Sequence, residues 1–492
     1  MTNINIDNTN SVETKYIPKD GKNFIELVPE NVVRRSDTLY LYFVVIIGVI
    51  PSFTIGACTG WLSPVMVKLQ SNDTSVNPLA RPITTFEVSL CFAVPGILSI
   101  IGTSILPKIG DIFGRKKSMM CFCIGLFLSI IGLAFSKNIT VMILFHTFIG
   151  IFLCAYYNLA PIYLTEICEN HNRGKFGCLF TFFVPIGELA SFIIGPMISY
   201  TIFTLLTAIP LIPFSLFLLA PESPVYLLTK GENQRCMKSL KQLRNNKTEE
   251  ELISDFNEIS KTLILDDKMK EASLVRLFST KECRLGLILG SLPSLVQIFC
   301  GVPIIMSLLA PIFNQSGSNL SGETIAIIVA LIKTVSFGFT SFVVEKYGRR
   351  KLLIASSLGM GSAISVLSIF FYLNSIKSLF ILQFKWVPLV GVLVYIVSYS
   401  IGVGTLPLVI IGELFVSELR TSAFAFIMAV SGVLYTIYSA SYPLAAEMIG
   451  VHWCMGIFGF ASFTGGLLIY LFLPETKGRS ILEIQNLLKH YN

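Results

Sequence analysis

The feature that most constrains this chain is a succession of apolar runs, each long enough to cross a bilayer. A membrane's hydrocarbon core takes about 20 residues of helix to span. Twelve such runs lie near 40–63, 87–107, 118–136, 139–164, 176–198, 200–220, 285–312, 323–344, 351–373, 386–411, 421–445 and 451–473. A transmembrane barrel would alternate polar and apolar residues over strands of about ten, and these runs do not alternate. The sequence therefore predicts an all-α membrane protein with twelve transmembrane helices. Only 14% of the 492 residues are charged and 53% are hydrophobic, against about 25% charged in a soluble domain. That balance excludes a water-soluble enzyme, a disordered chain and a secreted domain held by disulfides. The eleven cysteines fall mostly inside the runs (Cys58, Cys91, Cys123, Cys154 and Cys300 among them) without metal-ligand spacing. They read as small apolar residues. No metal site, phosphate loop or Ser/His/Asp set is visible, so the chain reads as a non-enzyme that needs no cofactor.

Charge sets the predicted orientation. The net charge of +7 reads as the positive-inside bias of a membrane protein and not as a nucleic-acid footprint. The first 38 residues are polar and show no cleavable signal pattern, so the run beginning near Tyr40 is the predicted insertion signal. With the N-terminus inside, the outer loops hold only Lys68, Arg81, Lys137, Lys377 and Lys385, Lys333 lies in mid-span, and about 31 of the 37 Lys and Arg face the cytoplasm. Both termini are then cytoplasmic. The sequons at Asn72, Asn138, Asn314 and Asn319 fall in outer loops as glycosylation candidates, whereas the one at Asn246 faces inside.

The organisation is two six-helix halves. Residues 1–38 form a cytoplasmic tail, 39–221 the first bundle, 222–284 a linker, 285–473 the second bundle and 474–492 a second tail. The linker is rich in charge, and its apolar residues (Leu240, Leu243, Leu252, Ile253, Phe256, Ile259) recur at helical spacing, which predicts a cytoplasmic helical insert. The halves carry matched marks in the same order. DIFGRK at 111–116 answers EKYGRR at 345–350; Glu166 and Arg173 answer Glu413 and Arg420; PESP at Pro221 answers PETK at Pro474. The offsets of 234, 247 and 253 are nearly constant. A duplicated six-span unit suits alternating access, in which two halves rock about a central site. The charges among these marks, Asp111, Arg115, Glu166, Arg173, Glu222, Glu345, Arg349, Glu413, Arg420 and Glu475, are the predicted cytoplasmic gate. They pair when that side is shut and separate when it opens.

These residues resemble the sugar porter family of the major facilitator superfamily, over nearly the whole chain from Gly56 to Glu483. The most specific pieces are PIYLTEICENHNRG at 161–174, PESP at 221–224, VVEKYGRRKLL at 343–353, GELFVSELR at 412–420 and PETKGRSILEI at 474–484. TIGACTGWLSPVMVKL at 54–69 and KGENQRCMKSLKQLR at 230–244 are similar to the insect facilitated trehalose transporter branch. The resemblance implies the major facilitator fold, a sugar as the small-molecule partner, passage without ATP and a place in the plasma membrane. Other readings stay open: a carrier of a different polyol or small solute, or a sugar sensor that does not transport.

The central site departs from the family. Gln297 carries over from its paired glutamines, the other being Ile298 here. Among the family's sugar contacts, Thr181 stands for a Gln, Ser307 for a Tyr, and Ser431 and Tyr435 for two Asn, and the span-ten Pro and Trp become Thr405 and Leu408. Short hydroxyls in spans often bond their own helix instead of a ligand. Two charges, Glu188 in span five and Lys333 in span eight, sit inside apolar runs, Lys333 where the family has an Asn. Charge at that depth is costly and is normally paired or functional. The sequence predicts a Glu188–Lys333 ion pair across the halves, with both residues in the substrate region. The first span has no acid, and His146 replaces the span-four Arg that proton-linked relatives use. That favours uniport.

Overall fold

A computed structural model describes residues 14–19, 22–27, 37–270, 277–378, 381, 383–415, 417–477, 483 and 489. The side chains of 14–27, 104, 170, 262, 264–270, 341–345, 417, 418 and 421 lie outside that description. Most of the two predicted tails falls outside it as well. Within the first tail, Thr14–Lys19 and Lys22–Leu27 pair as an antiparallel hairpin, an addition to the predicted helices.

Twelve helices are long and apolar enough to cross a membrane. Spans one to six are Leu39–Leu69, Thr85–Phe113, Arg115–Ala134, Ile139–Ile167, His171–Ile194 and Tyr200–Leu219. Spans seven to twelve are Lys281–Ser307, Gly322–Thr340, Arg349–Ser375, Val387–Leu414, Ser422–Ile449 and Val451–Phe472. Local chemistry sets several starts. Thr84 and Glu87 form a capping box at span two, and Asn138 and Thr280 accept from the first turns of spans four and seven. Twelve crossings bring both chain ends to one face, called the termini face below.

Small residues let the helices approach. Within the first half, spans one and five pack along Gly56, Gly60 and Gly187. A Cβ at Gly56 would lie 1.8 Å from the Val184 carbonyl oxygen, and one at Gly187 would lie 2.0 Å from that of Phe53. Lipid gives apolar side chains little reason to leave it, so close van der Waals packing of this kind drives helix association. The halves meet along two matched seams, span two against eleven and span five against eight.

Two of the spans are interrupted, and one expectation needs correction. Spans seven and ten are not continuous. Span seven turns at Gly301, whose φ is +84°, and resumes as Val302–Ser307 and Leu309–Asn314. Span ten stops at Ile401 and restarts at Leu406. Lys68 is not a loop residue: it is buried in the last turn of span one, and its ammonium donates to the carbonyls of Gly195 and Ile198. A cation there also meets the negative end of the span-one helix.

Between spans six and seven lie helices Pro224–Thr229, Asn233–Leu243 and Glu249–Lys270. Leu227, Cys236, Leu240 and Leu252 form their small core. Arg244 and Lys247 join this layer to the loop after span four. Lys247 Nζ lies 2.6 Å from Glu169 Oε1 and 2.8 Å from Asp255 Oδ2, and Arg244 reaches the same Asp255 oxygen at 2.6 Å.

Candidate functional site

The broken helices build the middle of the second half. A helix that unwinds in a membrane leaves carbonyls without their usual partners, and the neighbouring chain must supply donors. Tyrosine and glutamine do so here. Tyr395 donates its hydroxyl to the Cys300 carbonyl at 2.5 Å, and Tyr438 donates to Phe299 at 3.3 Å. Gln297 Nε2 donates to the Gly404 carbonyl at 3.2 Å and to the Tyr399 hydroxyl at 3.3 Å. Its Oε1 has no protein partner among the described residues, so it remains an acceptor for a hydroxyl. Tyr395, Tyr399 and Tyr438 are absent from the sequence-derived site. Their signal was the glycine spacing at Gly301, Gly402 and Gly404, which marks breaks that need donors.

The other predicted contacts divide. Tyr435 approaches the Ser307 hydroxyl, which itself donates to the Pro303 carbonyl at 2.9 Å. Ser431 is half-buried one turn before Tyr435 on span eleven. Thr181 is exposed and bonds its own helix, at 3.0 Å to the Cys178 carbonyl and 3.3 Å to that of Gly177.

Glu188 and Lys333 meet. Lys333 Nζ lies 2.7 Å from Glu188 Oε2 and 3.0 Å from Oε1, with side-chain exposures of 15% and 10%. Next along span eight, Thr334 donates to the Pro185 carbonyl of span five at 3.3 Å. The seam between the halves thus carries an ion pair and a hydrogen bond one residue apart. Gly60 of span one backs the pair, since a Cβ there would lie 3.2 Å from Glu188 Cγ. His146 packs on Trp61 with ring centroids 5.5 Å apart, in a small void also lined by Cys58, Leu133 and Thr204.

The repeated marks form two matching clusters on the termini face. In the first, Glu222 accepts from the backbone N–H of Lys116 at 3.0 Å, and Arg115 donates to Asp111 and, at 3.1 Å, to Glu166. In the second, Glu475 accepts from the N–H of Arg349 at 3.0 Å and of Arg350 at 3.2 Å, and Arg349 pairs with Glu413 at 3.0 Å. Each glutamate caps the helix that follows the repeated glycine, where free N–H groups favour an anion. Gly114 and Gly348 have φ of +105° and +87°, and a Cβ would lie 2.3 Å and 2.9 Å from the capping carboxylate. Burial raises the Glu222 carboxyl above its usual range, against the pull of the N–H groups of Lys116, Ser223 and Arg115.

Among the described residues, the charges predicted to form a gate therefore pair within each half in this conformation, not between halves. Arg173 is exposed without a partner among the described residues. The Nε of Arg420 and the Oε2 of Glu413 are buried without one. The Glu345 side chain falls outside the described residues. On the opposite face the halves do touch, as Ser63 Oγ of span one accepts from the Ala310 N–H at 3.0 Å. The sequons Asn72, Asn138, Asn314 and Asn319 are exposed on that same face.

The comparisons agree with this architecture. A family model described as "Sugar (and other) transporter" matches residues 42–488. The chain is 24% identical over 481 residues to the facilitated trehalose transporter Tret1 of Bombyx mori, covering 97% of this chain and 92% of the relative. It is 26% identical over 446 residues to Tret1 of Apis mellifera ligustica, covering 88% and 85%. Its fold is similar to the inward open conformation of the xylose transporter XylE from E. coli, with a TM-score of 0.74, 20% identity, and coverage of 91% and 100%. The chain belongs to the sugar (and other) transporter family, built on the major facilitator fold.

Proposed function

We propose that the chain is a facilitative carrier, a uniporter, for a sugar of the trehalose or hexose class. The observation that carries this reading is the match along nearly the whole chain to relatives named as facilitated trehalose transporters. The geometry supports it with one carbonyl acceptor on Gln297 and hydroxyls on Ser307, Tyr399 and Tyr435 as partners for sugar hydroxyls. Gln297, Thr181, Ser307, Ser431, Tyr435, Glu188 and Lys333 form the proposed substrate region, with Thr181 the weakest member because it bonds its own helix. Uniport is favoured by a first span without a carboxylate and by His146, which lies enclosed beside Trp61.

The protein sits in the plasma membrane with both termini and the 222–284 linker in the cytoplasm, and the four exposed sequons are glycosylated outside. In that orientation this conformation faces inward. Its outer side is closed by Ser63 and Ala310, and its gate charges have withdrawn into their own halves. Closing the inner side brings Arg173 and Arg420 to carboxylates that include the free Glu413 oxygen. Reconstituted vesicles loaded with labelled trehalose or glucose test the function: saturable equilibration supports the carrier, and binding without flux supports a sensor.

A second reading of the substrate follows from the ion pair. Glu188 and Lys333 stand in a region that a neutral sugar does not require to be charged, and they favour a polyol or solute that carries charge of its own. Competition of sugar flux by neutral and charged polyols separates the two.

A further inference from the structure

An open groove of about 800 Å³ lies on the termini face between span three, the end of span six and the linker helix Asn233–Leu243. Its rim holds Lys116, Lys117 and Lys238, and its floor holds Met120, Ile124 and Leu218. We propose that this groove binds an anionic phospholipid, with the phosphate between the lysines and an acyl chain along spans three and six.

Three features carry this. The first is charge complementarity. Three lysines line the groove against one carboxylate, Glu222, whose Oε1 is already engaged by the backbone N–H groups of Lys116 and Ser223. Lys116 reaches the Leu218 carbonyl at 2.7 Å, while Lys117 and Lys238 are exposed and have no ion-pair partner among the described residues. The second is depth. Lys116 and Lys117 lie in the first turn of span three, where headgroups meet helix ends, and basic pockets between spans at that level recognise anionic headgroups. The third is continuity of the floor with the outward surface of the bundle, since Ile124 and Leu218 are 56% and 62% exposed. An apolar strip leading away from a basic rim fits a phospholipid better than a soluble anion, which would leave the strip uncovered. Lys238 belongs to the linker and Lys116 and Lys117 to the bundle, so one bound phosphate ties the linker helix to the first half.

The test is retention of phosphatidylserine by the full-length protein in phosphatidylcholine nanodiscs, read by native mass spectrometry through stepwise delipidation. The native chain is expected to retain phosphatidylserine in preference to phosphatidylcholine. K117Q/K238Q is expected to lower that retention about 25-fold, roughly fivefold for each interfacial lysine. I124W keeps both charges, fills the floor, and is expected to lower retention too, so a failure of the lysine variant to fold leaves the proposal testable. Equal retention of the two lipids, or unchanged retention in both variants, overturns it. Displacement of the lipid by inorganic phosphate alone assigns the lysines to a soluble anion and likewise overturns it. None of these readouts depends on sugar flux.

Discussion

Lys333 of span eight holds Glu188 of span five through both carboxylate oxygens, at 2.7 and 3.0 Å, and so ties the two halves together within the apolar layer. Removing one partner of a buried pair leaves the other charge uncompensated, at a cost of about 3–5 kcal/mol, whereas replacing both is often close to neutral. K333M is therefore expected to lower the thermal unfolding midpoint of the detergent-solubilised protein, and E188Q/K333M is expected to recover most of the loss. A double variant as unstable as K333M would show that the two charges do not act as a unit.

The glycines of the repeated motif make a graded prediction. Both have positive φ, and both would push a methyl group into the carboxylate that caps the next helix, at 2.3 Å for Gly114 and 2.9 Å for Gly348. With ψ of 153° and 161° both sit in an extended positive-φ region that is essentially closed to other residues, and the backbone term alone is about 1–3 kcal/mol for a non-glycine residue. Displacing the carboxylate adds the loss of a helix cap, about 1 kcal/mol. G114A is expected to destabilise more than G348A, as read by thermal unfolding of the two purified variants side by side. The reverse order would contradict the capping geometry.

Gln297 has two duties, and its variants separate them. Its amide nitrogen satisfies the Gly404 carbonyl at the break in span ten, and its oxygen is open to substrate. Q297A leaves a partly buried carbonyl without its donor, a loss of about 1 kcal/mol, and is expected to weaken apparent sugar affinity as well. Q297E keeps an acceptor but removes the donor, so stability should fall while more of the affinity survives. Unaltered affinity in Q297A would remove Gln297 from the substrate region.

Arg420 presents a buried Nε without a partner among the described residues, and Arg115 is engaged by Asp111 and Glu166. If Arg420 acts in the opposite conformation, R420A should slow flux while leaving surface expression and the unfolding midpoint of this conformation nearly unchanged. R115A should lower both. Sugar flux and melting measured on the same preparations check the contrast, and undiminished turnover in R420A would count against an inner gate.

The repeat was the most legible part of the sequence. Gly114 and Gly348 need no Cβ, Glu222 and Glu475 cap the helices that follow them, and Arg115 and Arg349 reach Glu166 and Glu413 in the same way. Matched residues at matched offsets marked these positions as parts of a duplicated unit, while the capping of each helix by a glutamate and the choice of carboxylate for each arginine became visible only in the fold. The Glu188–Lys333 contact was legible for a different reason, because two opposite charges in apolar runs have few ways to avoid each other. The breaks in spans seven and ten were hidden. Hydropathy sums side chains and is blind to φ, so Gly301, Gly402 and Gly404 passed as small apolar residues. The tyrosines that satisfy the freed carbonyls, Tyr395 and Tyr438, counted toward the same runs. The charges of the repeated marks were legible but their partners were not, since sequence spacing carries no information on which conformation the chain adopts.

The central claim is facilitative sugar transport, and the most direct measurement is net flux of labelled trehalose and of labelled glucose into vesicles that contain the purified protein. Uniport predicts saturable equilibration of at least one of them, without accumulation, and at the same rate with or without an imposed pH gradient. Accumulation driven by the gradient would contradict uniport, and binding of sugar without flux would contradict transport itself.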